Sequence, residues 1–261
     1  MKYLSLIIVL TVLISGIWAF FVEPNMLEVK NLKFQNSELA GLRIVFASDF
    51  HIKPYEKYRL KKIVKTINKQ NPDIILLGGD FVNSHRKNLT YPINKIALEL
   101  KKLKAPLGIY TVLANHDGWQ GKYEIAKTLR ENGINVLENS NKKINNFYVA
   151  GVEDIQTGNP DITKTLENTE ENTILLTHSP DIFPKVPDTV MLTLAGHTHG
   201  GQIVFPGMEP LLVPSVYGKK YAYGLKKENG KIMYISKGMG TSILPLRFNC
   251  KPEIVVMEFE K

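Results

Sequence analysis

The sequence has a single cysteine, Cys250, among its 261 residues. One cysteine excludes an intramolecular disulfide framework and any metal cluster built on several thiolates. Internal repeats, low-complexity tracts and glycine/serine linkers are also missing between Leu27 and Lys261. Apolar residues make up 44% of the chain and charged residues 22%, which are ordinary globular values and argue against disorder. The body of the chain is therefore expected to fold as one domain around a substantial core.

Charge is missing from residues 3–22, a run that Lys2 precedes. An α-helix of about 20 residues rises about 30 Å, the thickness of the hydrocarbon core of a bilayer. We therefore predict an N-terminal transmembrane helix. The alternative is a cleaved signal peptide, but the apolar region of such a peptide is usually shorter and ends in small residues. Here the run ends in Trp18, Phe20 and Phe21, which suit a membrane interface instead.

This segment divides the chain into three parts. We place an anchor or uncleaved signal at 1–22, a juxtamembrane segment with a first strand at 23–41, and one globular domain at 42–261. The basic N-terminus favours a cytoplasmic start, which would put the domain outside the cytoplasm. Lys30 and Lys33, just beyond the apolar run, favour the opposite orientation.

The chain carries 33 basic and 25 acidic residues, a net charge of +8. This excess favours anionic partners such as nucleic acid, acidic lipid surfaces or phosphorylated small molecules. The basic residues are spread over stretches such as 57–65 and 95–104, without the interleaved aromatic residues that stack on bases. A nucleic-acid partner is therefore disfavoured.

Short apolar runs alternate with amphipathic stretches. The pattern predicts strands at 43–48, 74–77 and 108–113, with helices at 60–67 and 93–103 between them. Five later strands are predicted, at 146–152, 173–177, 190–195, 232–236 and 253–259. The early strand–helix–strand spacing predicts parallel pairing, and the helix-poor stretch after Gln202 predicts antiparallel strands. The domain is thus expected to be an α/β domain with mixed sheets.

Five of these strands end at residues that can bind metals. In chain order these residues are Asp49 and His51, Asp80, Asn115 with His116 and Asp117, His178, and His197 with His199. Ligand sites in α/β sheets gather beyond the carboxyl ends of strands, so we expect these side chains to converge. Only His85 among the six histidines lies outside the set, and it is interpreted as a plain loop residue.

Mixed Asp, His and Asn ligands without cysteine suit hard or borderline divalent cations. A carboxylate that bridges two ions holds them ~3.5–4 Å apart, the arrangement used for phosphate-ester hydrolysis. Asp80 stands alone at its strand end after Gly78 and Gly79, which leave room for ions, and is the natural bridge.

The ordered motifs resemble those of the calcineurin-like metallophosphoesterase superfamily. The motifs are Asp49-x-His51, Gly79-Asp80, Asn115-His116-Asp117, His178 and Gly196-His197-x-His199. The longer strings at 196–202 and 247–254, together with the apolar N-terminus, resemble its bacterial membrane-anchored branch. Relatives in that branch include UDP-2,3-diacylglucosamine pyrophosphatases.

The resemblance implies a four-layer αββα sandwich of two mixed β-sheets flanked by helices, the metallo-dependent phosphatase-like fold, over 42–261. It also implies two divalent metal ions, drawn from manganese, iron, zinc, magnesium, nickel or cobalt. The implied ligands are Asp49, His51 and His199 for the first ion, Asn115, His178 and His197 for the second, and Asp80 as the bridge. His116 would lie beside the scissile phosphate, with Asp117 orienting its ring. Ala114 replaces the family's usual glycine before Asn115, and we expect it to alter that turn slightly.

The function expected from these features is that of a membrane-anchored, dimetal-dependent phosphoesterase. It would cleave a phosphodiester, pyrophosphate or phosphomonoester bond by in-line attack of a metal-bridging hydroxide. Its partners would be the bilayer and a lipid-linked or nucleotide-sugar substrate of the UDP-2,3-diacylglucosamine type, as in lipid A biosynthesis, and we expect a monomer. The alternatives are a nuclease or cyclic-nucleotide phosphodiesterase of the same superfamily, and a catalytically inactive binding scaffold. Inactive scaffolds usually lose metal-binding residues, whereas all seven implied metal ligands and His116 are present in this sequence.

Residues that select the substrate lie outside the motifs. Tyr217, Lys219 and Lys220 are candidate substrate contacts, and a solvated hairpin is the equal alternative. Arg247 would hold a phosphate or cap the sheet. Cys250 is expected to pack near the last strand rather than act as a nucleophile.

Overall fold

The computed structural model describes residues 2–261, with side chains from Tyr3 onward. Two six-stranded sheets face each other and helices cover their outer sides. The strands, numbered β1 to β12 along the chain, are Glu28–Gln35, Arg43–Ala47, Ile74–Leu77, Ile109–Thr111, Asn135–Val136, Ser140–Ile144, Phe147–Gly151, Thr173–Leu176, Val190–Ala195, Gly224–Glu228, Lys231–Ile235 and Glu253–Glu260. The α-helices α1 to α5 are Lys2–Ile17, Lys57–Asn68, Ile93–Leu100, Asn115–Glu131 and Ile162–Thr165.

The first sheet has the strand order β1-β12-β2-β3-β4-β5. Strands β2, β3, β4 and β5 pair in parallel, as the strand–helix–strand spacing predicts. Every residue of β3, Ile-Ile-Leu-Leu, is buried, because a parallel strand between two covered faces has no side open to water. The carboxyl ends of β2, β3 and β4 therefore meet at one edge of this sheet.

The second sheet has the order β10-β11-β9-β8-β7-β6. Strands β7, β8, β9 and β11 are parallel, and the antiparallel strands β6 and β10 close its two sides. The expectation of antiparallel pairing after Gln202 is right for β10 with β11 and for β12 with β2. It is wrong for β11 with β9 and for β12 with β1, which are parallel.

Three apolar layers hold the architecture together. Phe46 and Leu76 of the first sheet meet Leu194 of the second between the sheets. Helices α2, α3 and α4 cover the outer face of the first sheet through residues such as Ile63 and Leu129. The outer face of the second sheet has a thinner cover, made of α5 and the short 3₁₀ segment Pro180–Lys185. The predicted αββα sandwich is thus confirmed, with one outer layer reduced to short helices.

The N-terminal helix extends away from the sandwich. After α1 the chain continues as a π-helical turn, Trp18–Val22, and a 3₁₀ turn, Glu23–Asn25. The helical stretch Tyr3–Asn25 is long and apolar enough to cross a membrane, with a mean hydropathy of 2.5 over a window of which 6% is buried. Beyond it, β1 pairs with β12 over eight registered residue pairs, so this segment is part of the first sheet.

Candidate metal centre

The candidate metal ligands lie at the carboxyl ends of strands from both sheets. Asp49 and His51 follow β2, Asp80 follows β3, and Asn115 opens α4 after β4. His178 follows β8, and His197 and His199 follow β9. The side chains predicted from the strand ends are therefore brought together at one end of the sandwich.

The backbone at this end is unusual. Asp49, His51, Asp80, His197 and His199 all have positive φ, between 42° and 72°. Non-glycine residues rarely adopt this conformation, which costs about 1–3 kcal/mol and persists only where the surroundings enforce it. Backbone hydrogen bonds join two of these turns, from Asp49 N to Gly79 O at 3.0 Å and from His51 N to Asp80 O at 2.8 Å. The chain thereby turns sharply after each strand.

Two groups of ligand atoms lie on either side of Asp80. In the first, His51 Nε2 is 3.1 Å from His199 Nε2, which is 3.5 Å from Asp49 Oδ1. In the second, His178 Nε2 is 3.1 Å from His197 Nδ1. Asp80 Oδ2 lies 3.2 Å from His51 Nε2 and 3.4 Å from His178 Nε2, so one carboxylate oxygen joins the two groups.

The donor set fits divalent cations. Two atoms that each lie about 2.1 Å from one cation stand about 3.0–3.4 Å apart in octahedral or tetrahedral geometry, close to the separations above. Imidazole nitrogens that face each other this closely need a proton or a cation between them. The buried Asp49 Oδ2 and Asn115 Oδ1 have no hydrogen-bond partner among the described residues. Buried polar atoms are normally satisfied, so these two oxygens also point to a missing ligand.

The charges of the cluster are strongly coupled. Burial would raise the pKa of Asp80, but the neighbouring His178 and His51 hold that pKa well below its usual range. Burial would lower the pKa of His178, but its interactions with Asp80 raise it to about 10. Burial and the neighbouring histidines lower the pKa values of His197 and His199. Without a cation the site therefore holds an aspartate paired with a histidinium, and a metal ion would replace that proton.

Glycines allow the chain to approach Asp49 closely. A Cβ at Gly196 would lie 2.5 Å from Asp49 Oδ2, and one at Gly238 would lie 2.6 Å from Asp49 Cβ. Gly196 belongs to the recognised motif, but the sequence analysis did not single out Gly238, in the turn after β11.

His116 and Asp117 do not form the expected pair. His116 Nδ1 lies 3.0 Å from the carbonyl oxygen of Asn83, and the backbone N–H of His116 donates to Asp80 Oδ1. The Asp117 carboxylate instead accepts backbone hydrogen bonds from the turn after β3 and from Ala114. The prediction that Asp117 orients the His116 ring is therefore wrong, because the carboxylate binds the backbone that carries Asp80.

The protonation of these two residues follows from their surroundings. Burial lowers the pKa of His116 to about 4, against the opposing effect of Asp80. The ring is therefore neutral near pH 7, with Nδ1 placed to donate to Asn83 and Nε2 left as an acceptor. Burial and the charge of Asp80 raise the pKa of Asp117 to about 7.

Ala114 does not disturb the turn. It has an extended backbone, with φ −114° and ψ 179°, that any residue adopts. The nearby left-handed residue is Gly79, with φ +83°, whose Cβ would lie 2.8 Å from Ala114 Cβ. The methyl group thus occupies space that the facing glycine leaves open, and Ala114 needs no positive φ.

Arg247 is fully buried, and among the described residues its hydrogen bonds go to backbone carbonyl oxygens and the Cys250 thiol rather than to ligand side chains. Its guanidinium donates to backbone carbonyl oxygens of Lys237, Gly238, Gly240, Cys250 and His199. Of the two roles considered for Arg247, the structure supports the structural one, since every guanidinium nitrogen is already bonded. The role of substrate contact is not supported.

The remaining sequence candidates have hydrogen-bond or ion-pair partners of their own. Cys250 is buried and its thiol donates to the carbonyl oxygen of His199, as expected for a packing residue. Lys219 pairs with Glu209 at 3.2 Å, and Lys220 pairs with Glu228 at 2.8 Å. The ammonium of Lys220 also lies over the ring of Tyr217. All three side chains are exposed. Their assignment as substrate contacts stays a prediction, since their segment adjoins the His197–His199 turn through the hydrogen bond from Thr198 Oγ1 to the carbonyl of Ala222.

Two residues that the sequence analysis missed follow β7. Gln156 Nε2 lies 3.2 Å from His197 Nε2, on the side of the ring away from His178. Asp154 is buried, and its Oδ2 accepts from Gln156 N and Thr157 N, which fixes this loop. β7 lies within the predicted strand 146–152, so both residues follow the end of a predicted strand. The rule that polar residues after strand ends build the site would therefore have identified them.

Comparisons with known proteins agree with the geometry. The sequence model described as calcineurin-like phosphoesterase matches residues 42–201. The chain is 34% identical to the uncharacterized metallophosphoesterase YkuE of Bacillus subtilis, over 92% of this chain and 87% of that protein. It is 30% identical to the phosphodiesterase YaeI of Escherichia coli, over 91% of this chain and 90% of that protein.

A third similar protein is described as a transmembrane protein. The chain is 29% identical to a transmembrane protein with metallophosphoesterase domain from Danio rerio, over 96% of this chain and 61% of that protein. The family model covers more than half of the chain, which establishes membership of the family. The chain belongs to the calcineurin-like phosphoesterase family, whose members use a dimetal centre, and is a metal-dependent hydrolase of phosphate esters with two divalent ions as its cofactors.

Proposed function

We propose that this chain is a membrane-anchored phosphodiesterase that acts on a lipid-linked or nucleotide-sugar phosphate of the UDP-2,3-diacylglucosamine type. The observation that carries the chemistry is the position of Asp80 Oδ2, within 3.4 Å of both His51 Nε2 and His178 Nε2. The apolar helix at the N-terminus supports the anchor. The name of the Escherichia coli relative, a phosphodiesterase, supports a diester substrate.

The ligand roles in this proposal follow the two groups of atoms. Asp49, His51 and His199 would hold one ion and Asn115, His178 and His197 the other, with Asp80 shared. The two ions would supply charge neutralisation at the phosphate and would lower the pKa of a water molecule that attacks phosphorus. The unpartnered Asn115 Oδ1 and Asp49 Oδ2 support their places in this set.

The protein's own contribution to the reaction centres on His116. Its ring packs against that of His51, with ring centroids 4.6 Å apart, and its Nδ1 is held by the carbonyl of Asn83. The negative phosphate of a bound substrate would raise the pKa of the ring, and the protonated Nε2 would then donate to a phosphate oxygen or give its proton to the leaving oxygen. The half-exposed ring of Trp119, 5.1 Å from that of His116, would cover the substrate on this side.

The test is hydrolysis of bis(4-nitrophenyl) phosphate by the full chain while manganese is added to metal-free protein. We expect turnover that rises with manganese and saturates near two ions per chain. Absence of hydrolysis with manganese, iron, zinc, magnesium, nickel and cobalt would support the inactive scaffold instead. Comparing UDP-2,3-diacylglucosamine with an oligonucleotide then separates the proposed substrate from that of a nuclease.

A further inference from the structure

Six exposed apolar side chains lie at the C-terminal end of the N-terminal helical segment and on the two loops that pack against it. We define the interfacial surface as these residues: Phe20, Phe21, Phe205, Met208, Ile243 and Leu244. Single exposed apolar residues are common, but a contiguous apolar patch marks a place where another apolar phase or partner is bound.

Hydrogen bonds hold the two loops of this surface against the helix. The backbone N–H of Arg247 donates to the carbonyl of Ala19 at 2.9 Å, well inside the apolar segment. Pro206 and Trp18 line the same groove, which places the loop before Met208 beside the helix. The Gln202 side chain accepts from Ser242 N and donates to the carbonyl of Ser242, which ties the two loops together.

These contacts fix the depth of the loops relative to the helix. Residues 3–22 span about 30 Å, so Val22 marks the edge of the hydrocarbon core if the helix crosses a bilayer. Trp18 lies four residues before that edge, or about 6 Å along the axis. Loops that touch Trp18 and Ala19 therefore reach about 6 Å past that edge, a depth at which interfacial apolar side chains lie between headgroups and acyl chains.

The composition of the two loops suits that position. Residues 202–208 carry no charge, and between residues 238 and 250 the only charged residue is the buried Arg247. Basic side chains stand just outside the apolar residues. Lys53 lines one groove with Phe20 and Phe21, and the exposed Lys62 donates to the carbonyl of Asn25 at the end of the helix. The apolar residues of the interfacial surface suit the acyl chains of an anionic membrane, and the cations beside them suit its phosphates.

Ile243 is the most exposed residue of the interfacial surface. It lies at the tip of a tight turn closed by a hydrogen bond from Leu244 N to Ser242 O, and it is 93% exposed. Its φ of +62° is unfavourable for a β-branched residue. A strained, fully exposed isoleucine gains no stability from packing inside this chain.

We propose that the interfacial surface inserts into the headgroup region of the same bilayer that the N-terminal helix crosses. The chain then has two membrane contacts, the helix and the loop pair, and the domain cannot rotate freely about a tether. This inference rests on the membrane anchor of the proposed function.

The metal centre lies beside this surface. Gln202 directly follows the 3₁₀ turn His199–Gly201, and Arg247 Nη1 donates to the carbonyl of His199. The phosphate-binding end of the sandwich is thereby held next to the lipid headgroups. The substrate class that this placement favours is an amphiphile whose phosphate stays at the membrane surface while its acyl chains remain in the bilayer.

The test uses the full chain in vesicles of phosphatidylethanolamine and phosphatidylglycerol. I243C and M208C are each labelled with an environment-sensitive fluorophore, which the buried Cys250 does not take up in the folded protein. Y123C is the matched control, because Tyr123 is also an exposed apolar side chain but lies on α4. Lipids with a nitroxide near the headgroup are then added to quench the fluorophores.

We expect a blue shift and quenching at positions 243 and 208, and neither at position 123. Equal quenching at all three positions would overturn the inference. A blue shift at position 243 without nitroxide quenching would also overturn it, since a second copy or another protein would then cover the surface. Turnover of bis(4-nitrophenyl) phosphate by the same labelled proteins tests the proposed function separately, so the two can fail independently.

Discussion

The carboxylate of Glu23, at the end of the N-terminal apolar helix, accepts a hydrogen bond of 2.9 Å from the backbone N–H of Asn249, 226 positions away. The N–H of Cys250 and the indole of Trp18 donate to the same carboxylate, which is buried. The helix and the domain are therefore connected by a bonded junction rather than by a flexible linker.

Replacing this carboxylate should weaken the junction. E23Q keeps the size of the side chain but removes charge-assisted acceptance of three hydrogen bonds, so we expect a loss of about 1–3 kcal/mol in the free energy of unfolding. Unfolding of the full chain in detergent measures this. E131Q makes the same change at an exposed helix position and should shift stability by less than about 0.5 kcal/mol. Equal losses in the two variants would contradict the role of Glu23.

D80N should remove both metal ions together with activity. The amide has no charge to share between two cations, and Asp80 Oδ2 is the atom that joins the two ligand groups. Elemental analysis after dialysis should find fewer than one ion per chain. D188N changes an exposed aspartate and should keep both ions. Retention of the full metal content by D80N would refute the bridging role.

H116A should separate metal binding from turnover. A ligand atom of His116 lies within 4.8 Å of those of His51 and Asp80, but the proposed function places the ring beside the phosphate and not on an ion, so the metal content should stay near normal. Loss of a group that carries a proton in the transition state should lower kcat on bis(4-nitrophenyl) phosphate by at least ~100-fold. H85A, at an exposed loop histidine, is the control and should keep normal turnover. Normal turnover in H116A would contradict the assignment of His116 as the proton-carrying group.

Gln156 should position His197 through a hydrogen bond. If His197 Nδ1 faces the ion, its Nε2 carries the proton. The Gln156 amide, whose nitrogen lies 3.2 Å from that atom in this structure, would then turn by 180° to accept the proton through its oxygen. We expect Q156L to bind manganese about 10-fold to 100-fold more weakly, since outer-shell partners of metal-bound histidines are worth that much. Q156E retains an acceptor and should restore affinity. Weak binding by Q156E as well would argue for a general packing role.

Cys250 should make the protein less stable at alkaline pH. Burial raises the pKa of this thiol, so its folded value lies above the unfolded value of about 8.5. A group of this kind contributes stability that is present below the unfolded pKa and is lost as pH rises towards the folded one. Stability should therefore fall above about pH 8.5, with a slope of at most about 1.4 kcal/mol per pH unit. Urea unfolding of C250A across the same range should show a smaller slope, and an unchanged slope would contradict the expectation.

The ligand set could be predicted because it depends on a local rule. Each strand that is buried on both faces must end in a turn, and the turns that carry Asp49, Asp80 and His197 lie at the carboxyl ends of parallel strands. The same rule covers Gln156, which was missed because glutamine is not a typical metal ligand, and it also covers the neighbouring Asp154, whose residue type could have signalled it.

Other features could not be read from the sequence. Helix α4 lacks a clear period because Gly118 and Gly121 interrupt it, and Gly121 has φ 144°. The partner of Asp117 is a set of backbone N–H groups, which no side-chain pattern reveals. Arg247 is buried because five carbonyl groups, from residues that are separated in the sequence, accept its hydrogen bonds. The sequence alone cannot show that its charge is already used and does not bind substrate.

The position of β12 in the first sheet has a consequence for biosynthesis. This strand lies between β1 and β2 in space, yet it is translated after the other eleven strands. The apolar helix is translated before all of these strands, so it can enter a membrane long before the sheet behind it can close. The first sheet cannot close until β12 has been translated, and until then the facing edges of β1 and β2 stay unpaired and open to aggregation.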